Sequence, residues 1–333
     1  MEENTMKTRN FLMIATSCLA GMAGSALSAQ TRSLVVAEVN DVTTFDPHQA
    51  TDNTTISIND HIFEGLVALV EDGSFQPRLA ESWTISDDQL TWTFKLRQGV
   101  KFSDGADFNA ATVKTNIERI VDPAFGSPGR ARLNLLESTE VVDDYTVAFK
   151  TKVPWPALMD GLAGNSTRIL SPRVLGSDTD VNKTPIGTGP FMLESSRPNQ
   201  GTTLVVNPGY WGDAPKLEKI TITTVPDAAV RATLLQAGEI DLALKVNPEN
   251  VATLEADPAI SVAKSPSTFS VFYMFNMREK PFDDPRVRKA LNMAIDREAI
   301  VGSLLQGAGI VPRSIFAGSV PYRVELPAIE YNP

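Results

Sequence analysis

Asp227-Ala228-Ala229-Val230-Arg231-Ala232-Thr233-Leu234-Leu235-Gln236-Ala237-Gly238-Glu239-Ile240-Asp241-Leu242-Ala243-Leu244 reads as a helix followed at once by a strand. Asp227 stands where an N-cap side chain accepts the first free backbone NH groups, and Gly238 where a helix stops. Outward from this unit the chain adds hairpins. Leu90-Thr91-Trp92-Thr93-Phe94-Lys95-Leu96 alternates strictly, the mark of a half-buried strand, and Ser82–Ile85 is its expected partner across the turn Ser86-Asp87-Asp88-Gln89. Val141-Val142, the turn Asp143-Asp144 and Tyr145–Phe149 repeat the device. Ser33–Val39 reads as a buried strand. Residues 54–69 show helix-like spacing at Ile58, Ile62, Phe63, Leu66 and Leu69, up to the turn Asp72-Gly73. Further helices are expected over 110–121 with Asn109 as N-cap, and from Pro285 with Asp284 as N-cap. Strand–helix–strand units mixed with hairpins give an α/β class with some α+β character.

The composition is that of an ordinary globular protein: 333 residues, 42% hydrophobic and 21% charged. This length sustains one large core or two smaller ones, and the composition excludes disorder, collagen, coiled coil and a disulfide scaffold. A net charge of −10 without a Lys/Arg run argues against nucleic acid and against an anionic membrane surface as partners. One cysteine, Cys18, rules out structural disulfides and cysteine-based zinc sites. His48 and His61 leave little room for a multi-histidine metal centre. Neither cofactor nor metal is expected. No Gly-x-Ser-x-Gly elbow, His-Glu-x-x-His helix or cysteine nucleophile occurs, so a secreted hydrolase is the weaker class.

Residues 1–29 read as an address. Lys7-Thr8-Arg9 precedes the apolar run from Phe11 to Ala20, and Gly24-Ser25-Ala26-Leu27-Ser28-Ala29-Gln30 supplies small residues, with cleavage expected after Ala29. Lipidation of Cys18 is the competing reading, weakened by Ala15-Thr16-Ser17 in front of it. The run is short and interrupted for a membrane span. Its removal takes two acids and two bases and leaves the net charge unchanged.

Five segments in order carry a resemblance. They are Phe63-Glu64-Gly65-Leu66-Val67 with Asp72–Trp83; Thr93–Gly105; Pro185-Ile186-Gly187-Thr188-Gly189-Pro190-Phe191; Asn207-Pro208-Gly209-Tyr210-Trp211; and Pro281–Arg297. In this order the chain resembles the extracytoplasmic solute-binding proteins, family 5, of ABC transporters, which take peptides and nickel chelates. The resemblance implies a two-lobed periplasmic binding protein of α/β class (a type II-like Venus flytrap), with an extra subdomain in the first lobe. It implies residues 30–62 and 185–268 as the main first lobe, 63–184 as the inserted subdomain and 269–333 as the start of an incomplete second lobe. Ile329-Glu330-Tyr331-Asn332-Pro333, which reads as the opening of a helix, fits that expectation of truncation. The implied function is capture of a peptide or related small solute in the periplasm and delivery to an inner-membrane ABC permease, by a monomeric non-enzyme. A nickel chelate is the alternative, supported by Asp46-Pro47-His48 and by Phe316–Tyr322.

The resemblance implies that the loop after the first strand reaches the cleft, with Thr44, Phe45 and His48 as candidate ligand residues; Phe45 would wall the pocket. His48 equally fits a satisfied structural histidine. Arg130 and Arg132 offer guanidinium forks for a carboxylate, or stand on the solvated surface. Asn165 is placed near the cleft, and Ser267–Tyr273 as the strand crossing between lobes puts Thr268 and Phe269 on the hinge side. Gly187-Thr188-Gly189-Pro190 lacks the lysine and helix of a P-loop and reads as a tight passage between subdomain and main sheet. Trp83, Trp92 and Trp211 read as core.

Overall fold

The computed structural model describes residues 32–176, 179–267, 269–317, 320 and 323–333; the expected leader, Cys18 and Thr268 lie outside them. In chain order the strands are β1 (Ser33–Glu38), β2 (Val67–Leu69), β3 (Phe75–Pro77), β4 (Ala80–Ile85), β5 (Thr91–Leu96), β6 (Leu136–Asp143), β7 (Thr146–Thr151), β8 (Phe191–Arg197), β9 (Gly201–Val206), β10 (Lys219–Thr224) and β11 (Leu242–Ala243). The principal helices are α1 (Asn53–Asn59), α2 (Ala110–Val121), α3 (Leu158–Ala163), α4 (Pro172–Leu175), α5 (Ala228–Gln236), α6 (Pro248–Glu255) and α7 (Pro285–Met293).

A five-stranded mixed sheet runs in the order β11-β1-β10-β9-β8. β1 is parallel to both neighbours, Val36 facing Ile222 on one side and Leu242 on the other. Parallel pairing needs a long crossover, which α5 provides between β10 and β11. Asp227 caps α5 by accepting from the Val230 NH at 2.9 Å, and Gly238 ends it at φ 71°, as its sequence requires. β11 is shorter than the apolar run suggested, but the ladder continues past it, Asp241 N donating to Val35 O at 2.9 Å and Leu244 N to Ala37 O at 3.1 Å. Val36, Ile58, Leu204, Ile220 and Ile222 build the core on this sheet.

A four-stranded antiparallel sheet, β4-β5-β7-β6, contains both expected hairpins. Phe94 faces Val147 across it, and the Phe94 and Phe149 rings meet edge to face at 5.4 Å. α2 starts where Asn109 accepts from the Thr112 NH at 2.9 Å and lays Val113, Ile117 and Ile120 into the same core. Burying each such side chain stabilises the fold by about 2–3 kcal/mol.

Two expectations are corrected. The helix over 54–69 ends at Asn59, and Val67–Leu69 is a strand. The backbone between them is taken by tertiary bonds: Gly189 N donates to Ile62 O at 2.9 Å and Phe191 N to His61 O at 3.0 Å. Ile62, Phe63 and Leu66 are therefore buried by surrounding chain rather than along one helical stripe. Residues 269–275 form no strand. Phe269 and Tyr273 are each 78% exposed, so the stretch buries no apolar face that would hold it as a strand. α7 is capped by Asp284, whose carboxylate accepts from the Arg286 NH at 2.8 Å, yet none of its residues is buried.

Candidate functional site

Open α/β sheets bind ligands outside the carboxyl ends of parallel strands, where neighbouring connections leave in different directions. Here that edge is formed by the ends of β10, β1 and β11. The loop from Val39 to Asp52 is fixed over it. Asp41 accepts from the Thr224 hydroxyl and from Asn199 N. Thr43 N donates to Thr55 Oγ1 at 2.8 Å, and the Thr43 hydroxyl to Asp52 at 2.8 Å. Burial works upward on the Asp52 carboxyl, but the Thr55 and Thr43 donors outweigh it and hold it below its ordinary range.

Thr44 donates to Asn182 Oδ1 at 2.8 Å and accepts from Asp46 N at 3.0 Å; the same Asn182 oxygen accepts from Phe45 N at 2.8 Å. Thr44 thus stays half-exposed at the edge. Phe45 does not wall a cleft: it is buried in the core with Ile58 and Phe191. His48 is fully buried, its Nε2 at 2.9 Å from Arg168 O and its Nδ1 at 2.8 Å from Arg119 Nη1. Arg119 also forks onto Asp46, at 3.1 and 2.6 Å, and lies 3.8 Å over the Phe125 ring. Arg119 donates to Nδ1, so the imidazole is neutral with its proton on Nε2 toward the Arg168 carbonyl. Burial is the main cause that lowers its pKa to about 4. No ring nitrogen is left for a solute.

Arg130, Arg132 and Asn165 come together on two adjacent 3-10 turns, Pro128–Leu133 and Asn165–Thr167. Gly129 sits so close to Ser166 that a Cβ would stand 2.4 Å from its hydroxyl. Arg130 Nε donates to Val121 O at 3.1 Å, and both arginines are exposed. This neighbourhood joins His48 through Ser127, whose hydroxyl donates to His48 O at 2.6 Å. Phe269 belongs to neither group of residues.

Sequence reading missed Glu38, Lys245 and Arg231, the charged residues that organise the edge. Glu38 ends β1 with its side chain 6% exposed and accepts from Val39 N, Thr54 Oγ1 and Lys245 Nζ at 3.0, 3.1 and 2.6 Å. Arg231, buried in α5, donates to the carbonyls of Val225, Pro226, Leu244 and Lys245 at 2.7–3.0 Å, tying the ends of β10 and β11 together. The available signal was a lone charge closing the apolar run Leu34–Ala37 and another inside Val230–Leu235. Glu64 was missed too. It accepts from Thr188 Oγ1 at 2.9 Å, Trp211 Nε1 at 2.6 Å and Tyr210 Oη at 3.2 Å, so one carboxylate ties three of the motif segments together. Burial raises its pKa against the pull of those donors, and burial with the nearby carboxylate pushes Tyr210 up to about 12. Among the described residues no group of three or more His, Cys, Asp or Glu is arranged to hold a metal ion.

A sequence profile of bacterial extracellular solute-binding proteins, family 5 Middle, matches residues 74–333. The chain belongs to this family. Among its solute-binding relatives, the glutathione-binding protein GsiB of Escherichia coli O1:K1 is 38% identical over 311 residues, covering 91% of this chain and 60% of that protein. The chain thus spans about 60% of the length of the curated relatives it matches. The periplasmic binding protein DppA of Helicobacter pylori, solved with the peptide STSA, superposes with a TM-score of 0.80 at 30% identity, over 90% of this chain and 64% of that one. NikA of Brucella suis, solved with Fe(III)-EDTA, gives 0.81 at 30% identity, over 90% and 62%. The mixed α/β fold is that of the periplasmic binding proteins.

Proposed function

We propose that this family 5 protein captures a short peptide or related small solute in the periplasm and delivers it to an inner-membrane ABC permease, without catalysing a reaction. The observation that carries the reading is the fixed carboxyl edge of β10, β1 and β11, with Thr44 and the Glu38–Lys245 pair at its rim, in a chain that superposes on a peptide-bound binding protein. Residues 1–29 would be removed on export. Residues 30–62 and 185–268 form the main first lobe, a division supported by the five-stranded sheet, whose strands come from those segments alone. Residues 63–184 form the inserted subdomain around the four-stranded sheet, and 269–333 begin the second lobe. In this reading Thr44 contacts the solute, while Asp46, His48 and Arg119 hold its loop. Arg130, Arg132 and Asn165 line the subdomain side, and Thr268 and Phe269 the hinge.

Calorimetry of the natural full-length protein against di- to tetrapeptides and against nickel chelates tests this. Binding of peptides with no product formed is the expected result. Binding of chelates alone reassigns the ligand, and turnover of any of these solutes contradicts the reading.

A further inference from the structure

Lys245 follows β11 at φ 53°, a left-handed backbone that a long side chain seldom adopts. Its place is held from three sides. Leu244 N donates to Ala37 O, Arg231 Nη2 donates to Lys245 O at 2.8 Å, and Lys245 Nζ reaches Glu38 Oε1 at 2.6 Å. The pair is asymmetric: the Glu38 side chain is 6% exposed and that of Lys245 51%. Burying a carboxylate is costly, and a buried ion pair contributes little stability over an apolar replacement. Besides accepting from Val39 N and the Thr54 hydroxyl, Glu38 fixes an ammonium at the carboxyl edge of two parallel strands. Of the three hydrogens on that ammonium, Glu38 and Thr54 Oγ1, at 3.4 Å, account for two.

Arg231 adds a buried positive charge: it is 2% exposed and donates to four carbonyl oxygens, and no carboxylate among the described residues is paired with it. Asp41 and Asp52, the carboxylates of the loop over this edge, are engaged by hydroxyl and backbone NH donors of Thr224, Asn199, Thr43 and Thr55. Lys245 is the half-exposed cation an arriving anion meets, with buried Arg231 behind it.

We infer that Lys245, positioned by Glu38 and Arg231, is a specificity-determining residue that selects solutes presenting a carboxylate to the carboxyl edge of β1 and β11. This rests on the capture reading above and narrows its solute class.

The test is a capture competition on the immobilised natural full-length protein. A library of free-acid tripeptides, including Asp and Glu, competes with the same library in which every carboxyl is an amide, and mass spectrometry counts what is retained. The wild type is expected to favour the acid series by about 10-fold or more, as removal of a desolvated charge contact commonly costs. Lys245→Gln is expected to lose that preference and Lys245→Arg to restore most of it. Because Lys245→Gln leaves Glu38 buried without its cation, the double variant Lys245→Gln/Glu38→Gln is measured as well and should show the same loss. Equal capture of both series by the wild type, or a preference that survives in the double variant, overturns the inference alone. Capture of neither series contradicts the peptide reading itself and removes the inference with it.

Discussion

His48 and Glu64 are buried ionisable groups that respond to acid in opposite senses. The folded-state pKa of His48, about 4, lies below its unfolded value of 6.5, so between these values the unfolded chain binds the extra proton. Its contribution to stability is complete above pH 6.5 and is lost as pH falls toward 4, by about 3 kcal/mol in all. Glu64 has the raised folded value: its contribution is present below the ordinary 4.5 and is lost as pH rises through the folded pKa. Urea unfolding of wild type and His48→Gln across pH 4–7 should give a difference curve that rises with pH; a flat one would show that the imidazole is not held neutral. Thr188→Val removes a buried donor to Glu64 and should cost about 2 kcal/mol. A loss under 0.5 kcal/mol, read as roughly no change in midpoint, would deny the carboxylate its role as a tie. At this scale the sequence was only half legible. Asp46-Pro47-His48 offered groups suited to a solute, but spacing does not say which side of a loop meets the core, and Arg119, seventy-one residues on, decides it.

Elements were read best where one local rule set them. The hairpins through Ser86–Gln89 and Asp143–Asp144, and the caps Asn109, Asp227 and Asp284, stand where local chemistry places them. The stretch 54–69 failed because its helical spacing competes with partners far along the chain. The passage Gly187–Pro190 passes so close to it that a Cβ on Gly187 would lie 2.1 Å from Ile62 O. Gly187→Ala must displace backbone and is expected to cost about 3 kcal/mol, seen as a lowered urea midpoint. Phe149→Ala, in the well-packed core of the four-stranded sheet, should cost about 3–5 kcal/mol in the same measurement. An effect below 1 kcal/mol for Gly187→Ala, on the order of a surface substitution, would mean that the passage is looser than described.

Over the whole molecule, burial is unevenly spread. The two sheets carry both cores, whereas Phe269, Val271, Tyr273 and Met274 are 78–85% exposed and α7 buries nothing. Limited proteolysis of the 333-residue chain should therefore cut first between 269 and 284 and leave a resistant piece containing both sheets. First cuts inside β4–β7 would contradict this. The family was legible from five motif segments because most of them are architectural: Glu64, Thr188, Tyr210 and Trp211 meet at one carboxylate. The charges at the strand edge were not, since Glu38, Lys245 and Arg231 are brought together only by the parallel pairing of β1 with β11 and the packing of α5. The central claim, capture of a small peptide-like solute, is tested most directly by denaturing natively purified full-length protein and identifying the released molecule by mass spectrometry. A short peptide or peptide-derived solute bearing a carboxylate, at near one per chain, is the result this account predicts; a nickel chelate or a sugar released at that ratio would contradict it.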